Sequence, residues 1–254
     1  MKGFSENYWA MRSNQYDKVS WVKDTDLIDA YLGMLKHANY NTILEVGVGT
    51  GAIAKLVADR IGPLTGIDIS QEMIDQIDHP GVTPMVANAH DLPFNNASFE
   101  MIYMRNVIHY IDNPILAFSE IHRCMKNGGT FLFSQVIPPD DSISEEYDWL
   151  IGRDIHYPTK SEILRLFSIF SSVLTNDFVL EDQSIINWLD NTCDNEEKKQ
   201  NIIDRHHSTS DKYRAMANYQ ETGNDILVNI KHLIIICEKL VCIEKLRNLE
   251  RHLM

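Results

Sequence analysis

A glycine-rich segment follows the first short apolar stretch that is predicted to be a strand. Residues 44–51 read LEVGVGTG, so three glycines alternate with other residues just before a predicted helix. Glycine lets the backbone turn sharply and approach a ligand closely, and a helix N-terminus offers free N–H groups to an anion. The segment therefore predicts a binding loop for a nucleotide-containing cofactor. Gly47, Gly49 and Ala52 also satisfy the dinucleotide pattern G-x-G-x-x-G/A, so this loop alone leaves two cofactor classes open.

Polar side chains follow the next two predicted strands. Asp68 closes the second strand, 17 residues after Gly51, where a carboxylate can accept hydrogen bonds from both hydroxyls of a ribose. Asn88 follows the third strand, within a polar stretch that ends in a Leu-Pro-Phe turn. Parallel sheets bind ligands at the carboxyl ends of their strands. We therefore expect one cleft, formed by the loops that follow Val46, Ile69, Val86 and Met104.

Three residues beyond the fourth and fifth predicted strands are candidate general bases. His109 follows the fourth strand, and His156 and Tyr157 lie just beyond the fifth. Histidine suits proton transfer because its pKa lies near neutrality. The alternative interpretation of His109 is a helix-start residue that is hydrogen-bonded to the backbone. His206 and His207 are predicted to lie on a solvent-exposed helix surface, and no third ligand at a suggestive spacing indicates a metal site.

The elements that must position these residues alternate between strand and helix about every 25 residues. This alternation predicts an α/β fold with a Rossmann-like, doubly wound, mostly parallel sheet of seven strands. We expect a helical leader or cap at 1–40, a main domain at 41–238 and a C-terminal helix at 239–254. Within the main domain, residues 41–135 should form the cofactor half, and about 140–220 an inserted helical lid on the acceptor side.

Charge and cysteine usage narrow the classes of partner. The chain has 254 residues, and 23 Lys and Arg stand against 36 Asp and Glu, a formal net charge of -13. A net-acidic surface repels phosphate backbones, which disfavours nucleic acid as a partner. The four cysteines form no Cys-x-x-Cys pair, and no secretory signal or membrane span is evident, so we expect a reduced, cytoplasmic protein without a membrane partner. Apolar residues at helical spacing in 239–254 fit either packing on the body of the protein or a homodimer contact.

Five blocks of sequence fall in a recognisable order. They are LEVGVGTG at 44–51, GIDIS at 66–70 with Met73, ANAHDLPF at 87–94, SFEMIYMRNVIHYIDNP at 98–114 and MKNGGTFLF at 125–133. This order resembles the class I S-adenosylmethionine-dependent methyltransferases, and most closely their small-molecule branch that includes the quinone-biosynthesis C-methyltransferases. The resemblance covers about residues 40–135 and implies a methyltransferase domain with S-adenosyl-L-methionine as its cofactor.

The resemblance also implies which residues hold that cofactor. The glycine loop would lie against the methionine part through Glu45, Gly47, Val48, Gly49 and Gly51. Asp68 would bind the ribose hydroxyls, and the adenine would meet Ile69, Met73, Asn88 and Ala89. Arg105 would lie beside the cofactor at the end of the fourth strand. Apart from the resemblance, the aromatic residues of the leader, Tyr16 first among them, fit either a cap over the cofactor or ordinary packing. Asn88 stands where relatives often have Asp, and its amide oxygen can still accept from the adenine amino group.

The implied reaction requires little of individual side chains. A sulfonium methyl group is already activated, so alignment of the acceptor with the methyl carbon and sulfur supplies much of the rate. A base is needed only where the acceptor loses a proton. The fourth-strand exit, MRNV at 104–107, lacks the Asn/Asp-Pro-Pro-aromatic and Pro-Cys motifs of relatives that methylate exocyclic or amide nitrogens and cytosine C5. With the negative charge, this favours a small-molecule substrate; the alternatives are an NAD(P)-dependent oxidoreductase and a non-catalytic cofactor-binding regulator.

Overall fold

The computed structural model describes residues 24–35, 39–153, 155–193 and 195–240. Within these ranges the chain forms one sheet of eight strands. The strands are β1 (Ile43–Val46), β2 (Leu64–Asp68), β3 (Val82–Val86), β4 (Phe99–Arg105), β5 (Met125–Ile137), β6 (Ser171–Ser184), β7 (Gln220–Thr222) and β8 (Asp225–Glu238). Tyr16, most of the predicted leader and the predicted C-terminal helix beyond residue 240 lie outside the described residues.

The sheet has the order β3-β2-β1-β4-β5-β8-β6, so the chain reverses its direction of progress between β1 and β4. The pairs among β1 to β5 are parallel, while β8 runs antiparallel to both β5 and β6. The short β7 pairs with β8 and adds an eighth strand to the seven predicted. The predicted α/β fold with a doubly wound, mostly parallel sheet is therefore confirmed.

Helices connect and cover the strands. They are α1 (Thr25–Leu32), α2 (Ala52–Arg60), α3 (Gln71–Ile74), α4 (Pro114–Cys124), α5 (Ser144–Ile151), α6 (Lys160–Leu166), α7 (Ile185–Thr192), α8 (Glu196–His207) and α9 (Asp211–Met216). Local sequence sets their starts: before α4, Asn113 Oδ1 accepts from Leu116 N at 3.1 Å, and Pro114 occupies the first turn. Thr159 and Glu162 form a reciprocal capping box at the start of α6.

Apolar layers cover both faces of the sheet. On one face Tyr31 of α1 packs into the core, and its hydroxyl donates to Met104 O at 3.4 Å and to Leu132 O at 3.3 Å. On the other face Phe118 of α4 and Phe167 after α6 pack edge to face, with ring centroids 5.2 Å apart. Both layers bury the middle of the strands and leave the carboxyl ends of β1 to β4 to form a site.

The predicted lid at about 140–220 is not one helical block. The strand β6 passes through this range at the edge of the sheet, and α6 packs on the face that carries α4. The helices α5, α7, α8 and α9 pack on the face that carries α1, and we call these four the cover helices. Side chains join them across the sequence: Glu146 accepts from Thr209 Oγ1 and Ser210 N, both at 2.7 Å.

Candidate functional site

A cavity of about 180 Å³ lies at the carboxyl ends of β1 to β4, and we call it cavity 1. The four loops that the sequence predicts to share one cleft all line it. So do all the predicted cofactor residues except Gly51 and Tyr16, of which Tyr16 lies outside the described residues. The structure thus brings these side chains together around one space, and their contacts with a cofactor stay predictions.

The backbone of the glycine loop keeps cavity 1 open. Gly47 and Gly49 have φ angles of 78° and 53°, in the left-handed region that glycine tolerates. An added Cβ at Gly47 would overlap the side chain of Val107, whereas one at Gly49 would meet nothing within 4 Å. Gly51 precedes α2 and does not line cavity 1; an added Cβ there would meet Ile77 at 3.1 Å, and its contact with the cofactor stays a prediction.

Asp68 ends β2 with its carboxylate at the wall of cavity 1. Its Oδ2 accepts from Gly49 N at 2.9 Å, and its Oδ1 accepts from Ser70 N at 3.0 Å. Burial raises the pKa of this carboxyl, and the backbone hydrogen bonds from Ser70 and Gly49 partly offset that rise. Each carboxylate oxygen has a second lone pair. Asp68 is therefore oriented by the protein and can still accept from a ligand's hydroxyl groups.

Apolar and amide groups continue the wall beyond Asp68. Ile69 is 43% exposed and Met73 is buried, and both contribute apolar surface to cavity 1. The side chain of Asn88 is oriented by its own loop, because its Oδ1 accepts from His90 N at 2.9 Å. Ala89 lies on the same wall. This side of the cavity can therefore hold a flat, partly polar group.

Glu45 is the buried acid of the site. Its Oε2 accepts from Tyr103 Oη at 2.7 Å, and only 3% of the residue is exposed. Burial raises its pKa to about 8, against the lowering effects of the Tyr103 hydrogen bond and the positive charge of Arg105. Glu45 and Arg105 both line cavity 1, so the site has a cation and a carboxyl that holds its proton near neutrality.

His109 and Tyr157 stack on each other beside cavity 1. Their ring centroids are 4.6 Å apart, and the ring planes differ by 19°. His109 Nδ1 lies 2.9 Å from Gln135 Nε2, and since an amide nitrogen donates, Nδ1 accepts. The neighbours Val107 and Tyr110 line cavity 1, whereas Tyr157 lines a second space. His109 itself lines neither cavity among the described residues, so its predicted role as a base stays a prediction.

His156 does not support the predicted role of a base. It is exposed at the surface, with Nδ1 2.6 Å from Asp148 Oδ2 and Nε2 2.9 Å from Glu162 Oε2. These two hydrogen bonds raise its pKa, although burial alone would lower it. His156 lines neither cavity among the described residues. Both ring nitrogens are thus engaged in a link between α5 and α6.

The second space, cavity 2, measures about 30 Å³ and lies between the cover helices and the strands β5, β6 and β8. Its walls include the side chains of Tyr147, Tyr157, Trp188, His206 and Tyr213. His206 is 1% exposed, so the prediction of a solvent-exposed position is wrong. Its Nδ1 lies 2.8 Å from Ile202 O, and burial lowers its pKa to about 4, so the ring is neutral near pH 7.

The loop after β4 holds wall residues that the sequence pattern did not indicate. Cavity 1 is also lined by Asn106, Val107, Tyr110, Ile111 and Asp112. Asn106 has a φ of 54°, and its Oδ1 accepts from Val136 N at 2.9 Å, which ties this loop to β5. The only indication of these residues in the sequence was their position directly after β4, whose carboxyl end faces the site.

Neither a cluster of metal ligands nor a membrane-spanning helix occurs in the described residues, 24–35, 39–153, 155–193 and 195–240. In these ranges no group of three His, Cys, Asp or Glu side chains is placed to hold a metal ion. No helix in the described part of the chain is long and apolar enough to cross a membrane. The described cysteines, Cys124, Cys193 and Cys237, are free thiols.

Residues 44–133 match the family model described as a methyltransferase domain. All the residues that line cavity 1 fall inside this range. The match begins in β1 and ends in β5, so it covers the strands whose loops form the cavity. The cover helices and the strands β6 to β8 lie beyond it.

Curated relatives and solved structures extend the likeness. Malonyl-[acyl-carrier protein] O-methyltransferase of Herminiimonas arsenicoxydans is 32% identical over 124 residues, 47% of this chain and 46% of that protein. Demethylmenaquinone methyltransferase of Staphylococcus aureus is 25% identical over 155 residues, 49% of this chain and 64% of that protein. The chain thus spans less than two thirds of both relatives. The structure of YcgJ from Bacillus subtilis shares the fold, with a TM-score of 0.75 at 20% identity over 84% of this chain and 98% of that one.

Proposed function

We propose that residues 44–133 form a class I S-adenosylmethionine-dependent methyltransferase domain and that this chain transfers a methyl group from S-adenosylmethionine to a small-molecule acceptor. The observation that carries the proposal is the meeting of the glycine loop, the Asp68 carboxylate and the Asn88 loop at one cavity. They supply a backbone cradle, an acid for ribose hydroxyls and a wall for a flat base. These are the parts that such a cofactor needs.

The residues of cavity 1 fit this cofactor. An added Cβ at Gly49 would meet nothing within 4 Å, so a ligand can approach the backbone there. Asp68 is held by two backbone N–H groups and keeps lone pairs for the two ribose hydroxyls. Ile69 and Met73 give apolar surface to an adenine. When bound, S-adenosylmethionine supplies an activated methyl group.

The chain's own residues then have to align the acceptor and exclude water. Positioning of this kind can supply several kcal/mol of the barrier, on the order of 7–11 in the best-oriented reactions. The cover helices enclose the sheet face beside Arg105, which suits both tasks. For an acceptor that loses a proton, His109 is the candidate base, because it lies in the loop after β4, whose residues Val107 and Tyr110 line cavity 1 although His109 itself does not. Tyr157 contributes through its stacking on that ring.

The net charge of the chain and the small size of cavity 2 favour a small-molecule acceptor. The net charge of -13 disfavours a nucleic-acid substrate, whose phosphates it would repel. Cavity 2 is small and lies between the cover helices and the sheet. The exit of β4 reads MRNV and lacks the motifs with which relatives hold a planar base. Together these features support a compact, free acceptor.

Calorimetric titration with S-adenosylhomocysteine and with NAD tests the choice of cofactor. We expect S-adenosylhomocysteine to bind, and NAD to bind at least tenfold more weakly. Tight binding of NAD without binding of S-adenosylhomocysteine would overturn the proposal in favour of an oxidoreductase. Cofactor binding with no release of S-adenosylhomocysteine in the presence of any acceptor would instead indicate a non-catalytic regulator.

The variant Asp68→Asn tests the ribose contact. It keeps the size of the side chain and removes its charge, so the affinity for S-adenosylhomocysteine should fall by about 1–3 kcal/mol, roughly 5-fold to 150-fold. Calorimetry measures the fall, and Asp211→Asn, at an exposed position of α9, is the matched control. Equal affinities of Asp68→Asn and wild type would refute the assignment of Asp68.

A further inference from the structure

Glu45 is a buried carboxyl at the wall of cavity 1. It lies on β1, directly opposite Tyr103 of β4 in the parallel register, and its Oε2 accepts from Tyr103 Oη at 2.7 Å. The residue is 3% exposed, yet it belongs to the lining of cavity 1. The protein therefore shields this carboxyl from bulk water and leaves cavity 1 as the side from which a ligand approaches it.

Tyr103 fixes the orientation of that carboxyl. Its ring is fully buried and packs edge to face on Tyr31, with ring centroids 6.5 Å apart. Burial, and after it the charge of Glu45, raises the pKa of Tyr103 well above its usual value, so the hydroxyl keeps its proton and donates. A carboxyl oxygen can accept this hydrogen bond whether or not the group carries a proton. Tyr103 therefore holds Glu45 in place in both protonation states.

The protonation state of Glu45 depends on its ionisable neighbours. They are Asp68 on β2, Tyr103 and Arg105 on β4, Tyr31 on α1, and His90 and Asp112 in the loops that line cavity 1. Burial raises the pKa of Glu45 to about 8, with Asp68 adding to the rise and Tyr103 and Arg105 opposing it. Near pH 7 the free protein thus presents a neutral carboxyl to cavity 1.

The sheet order gives cavity 1 two sides. Asp68 ends β2 and Asn88 follows β3, whereas Glu45 and Arg105 belong to β1 and β4. The proposed ribose and adenine contacts lie on the first side, which leaves the second side for the methionine part of the cofactor. That part carries an ammonium group in both S-adenosylmethionine and S-adenosylhomocysteine. A positive charge of the ligand is therefore expected on the side that holds Glu45.

We propose that cofactor binding in cavity 1 is coupled to the release of a proton from Glu45, and that Tyr103 is the positioning residue for this exchange. The inference rests on the proposed function, because it needs an S-adenosyl ligand in cavity 1. The O–H bond of the Glu45 carboxyl breaks and its proton passes to the solvent, while the ammonium group keeps its protons. An opposite charge nearby favours the ionised form of a carboxyl, which drives the exchange.

Asp68 is the rival source of the proton. Burial raises its pKa as well, but its two oxygens accept from Ser70 N and Gly49 N, which oppose that rise. Its proposed ligand is a pair of ribose hydroxyls, which carry no charge to draw a proton out. His232 on β8, whose ring nitrogens have no hydrogen-bond partner among the described residues, stays neutral because burial lowers its pKa to about 3. Glu45 is therefore the group whose ionisation the ligand changes most.

Calorimetry of S-adenosylhomocysteine binding to the full chain, in buffers of different ionisation enthalpy, counts the protons released. We expect about one proton per bound ligand at pH 7 and almost none at pH 9. Because the free protein must give up this proton, the affinity should rise about threefold or more from pH 6 to pH 8. Binding at pH 7 without proton release would overturn the proposal and leave the proposed function standing. Failure to bind S-adenosylhomocysteine would instead refute the proposed function.

The variant Glu45→Gln removes the titrating group and keeps an acceptor for the Tyr103 hydroxyl. It should bind S-adenosylhomocysteine without proton release at pH 7, and its affinity should change by less than about twofold between pH 6 and pH 8. Proton release that persists in Glu45→Gln but disappears in Asp68→Asn would overturn the proposal in favour of Asp68.

The variant Tyr103→Phe tests the positioning residue, and Tyr31→Phe is its matched control. Loss of the Tyr103 hydroxyl removes a hydrogen bond that lowers the pKa of Glu45. The pH at which the affinity levels off should therefore move upward by roughly half a pH unit or more. Tyr31→Phe removes a buried hydroxyl that donates to Met104 O and Leu132 O, so it should keep the wild-type pH profile. A less stable Tyr103→Phe with the wild-type pH profile would show a structural role only and overturn the assignment of Tyr103.

Discussion

In residues 39–137 Asp68 and Asn88, which line cavity 1, are oriented by backbone N–H groups, whereas in residues 138–240 side chains far apart in sequence join the cover helices. Asp68 is fixed by the backbone N–H groups of Gly49 and Ser70. In the second half, Glu146 of α5 instead holds Ser210, 64 residues later, through a hydrogen bond of 2.7 Å. Backbone conformation thus determines the shape of the glycine loop, whereas contacts between residues far apart in sequence determine how the cover helices pack.

The comparison predicts which kind of substitution destabilises each half. A backbone-built loop has little tolerance for an added side chain, since the space and the φ angle are both fixed. A cover held by exposed polar links should lose only a fraction of its stability with each link, because exposed ion pairs contribute about 0–1 kcal/mol. Substitutions in the two halves should therefore differ in how much stability they remove and in whether they weaken cofactor binding.

The largest effect is expected from Gly47→Ala in the cofactor half. A left-handed conformation costs a non-glycine residue about 1–2 kcal/mol, and overlap with Val107 adds about 1–3 kcal/mol. The free energy of unfolding should fall by about 2–5 kcal/mol in urea titrations, and S-adenosylhomocysteine should bind much more weakly. Adding Val107→Ala should restore the part that is due to the overlap.

The matched substitution in the second half is Gly223→Ala. Gly223 has a φ of 61° but meets nothing within 4 Å, so only the backbone cost of about 1–2 kcal/mol should remain. Cofactor affinity should not change, because Gly223 lies in the turn between β7 and β8. Equal losses of stability in Gly47→Ala and Gly223→Ala would contradict the contrast between the two halves.

The cofactor half could be predicted from the sequence because its signals are local. Alternate glycines after an apolar strand, and Asp68 at the end of the next strand, each indicate a position that the chain nearby enforces. Spacing cannot tell which glycine of the loop lines the cavity, and Gly51 does not, because an added Cβ there would meet Ile77.

In residues 138–240 the sequence alone did not predict which polar side chains are buried. Helix α8 reads EEKKQNIIDRHH, whose polar composition indicates an exposed helix, yet His206 is buried beside Tyr213 of the next helix, with ring centroids 6.4 Å apart. The unpartnered His232 was likewise hidden within an apolar strand pattern. Burial of these rings depends on which elements meet, and no short-range pattern carries that information.

A second, smaller effect should appear in the pH dependence of the cofactor half. Burial raises the pKa of Glu45 to about 8 from an unfolded value of 4.5, so the folded state binds the extra proton between these pH values. Stability must then fall as pH rises through this window, by at most about 1.4 kcal/mol per pH unit. Between pH 6 and pH 8 we expect wild type to lose about 2 kcal/mol more than Glu45→Gln in urea titrations. Parallel pH profiles of the two proteins would show that Glu45 is ionised in the fold.

The smallest effect belongs to His156, an exposed link of the second half, and it tests the contrast most directly. Its hydrogen bonds with Asp148 and Glu162 raise its pKa in the fold against the lowering effect of burial. Its contribution is therefore complete below the unfolded value of 6.5 and is lost as pH rises through the folded pKa. Because the side chain is 48% exposed, His156→Gln should cost less than about 1 kcal/mol at pH 6 and nothing measurable at pH 9. The control is His207→Gln, which removes one longer contact of 3.4 Å with Glu221. A loss at pH 6 as large as that of Gly47→Ala would mean that the cover, too, depends on single fixed positions.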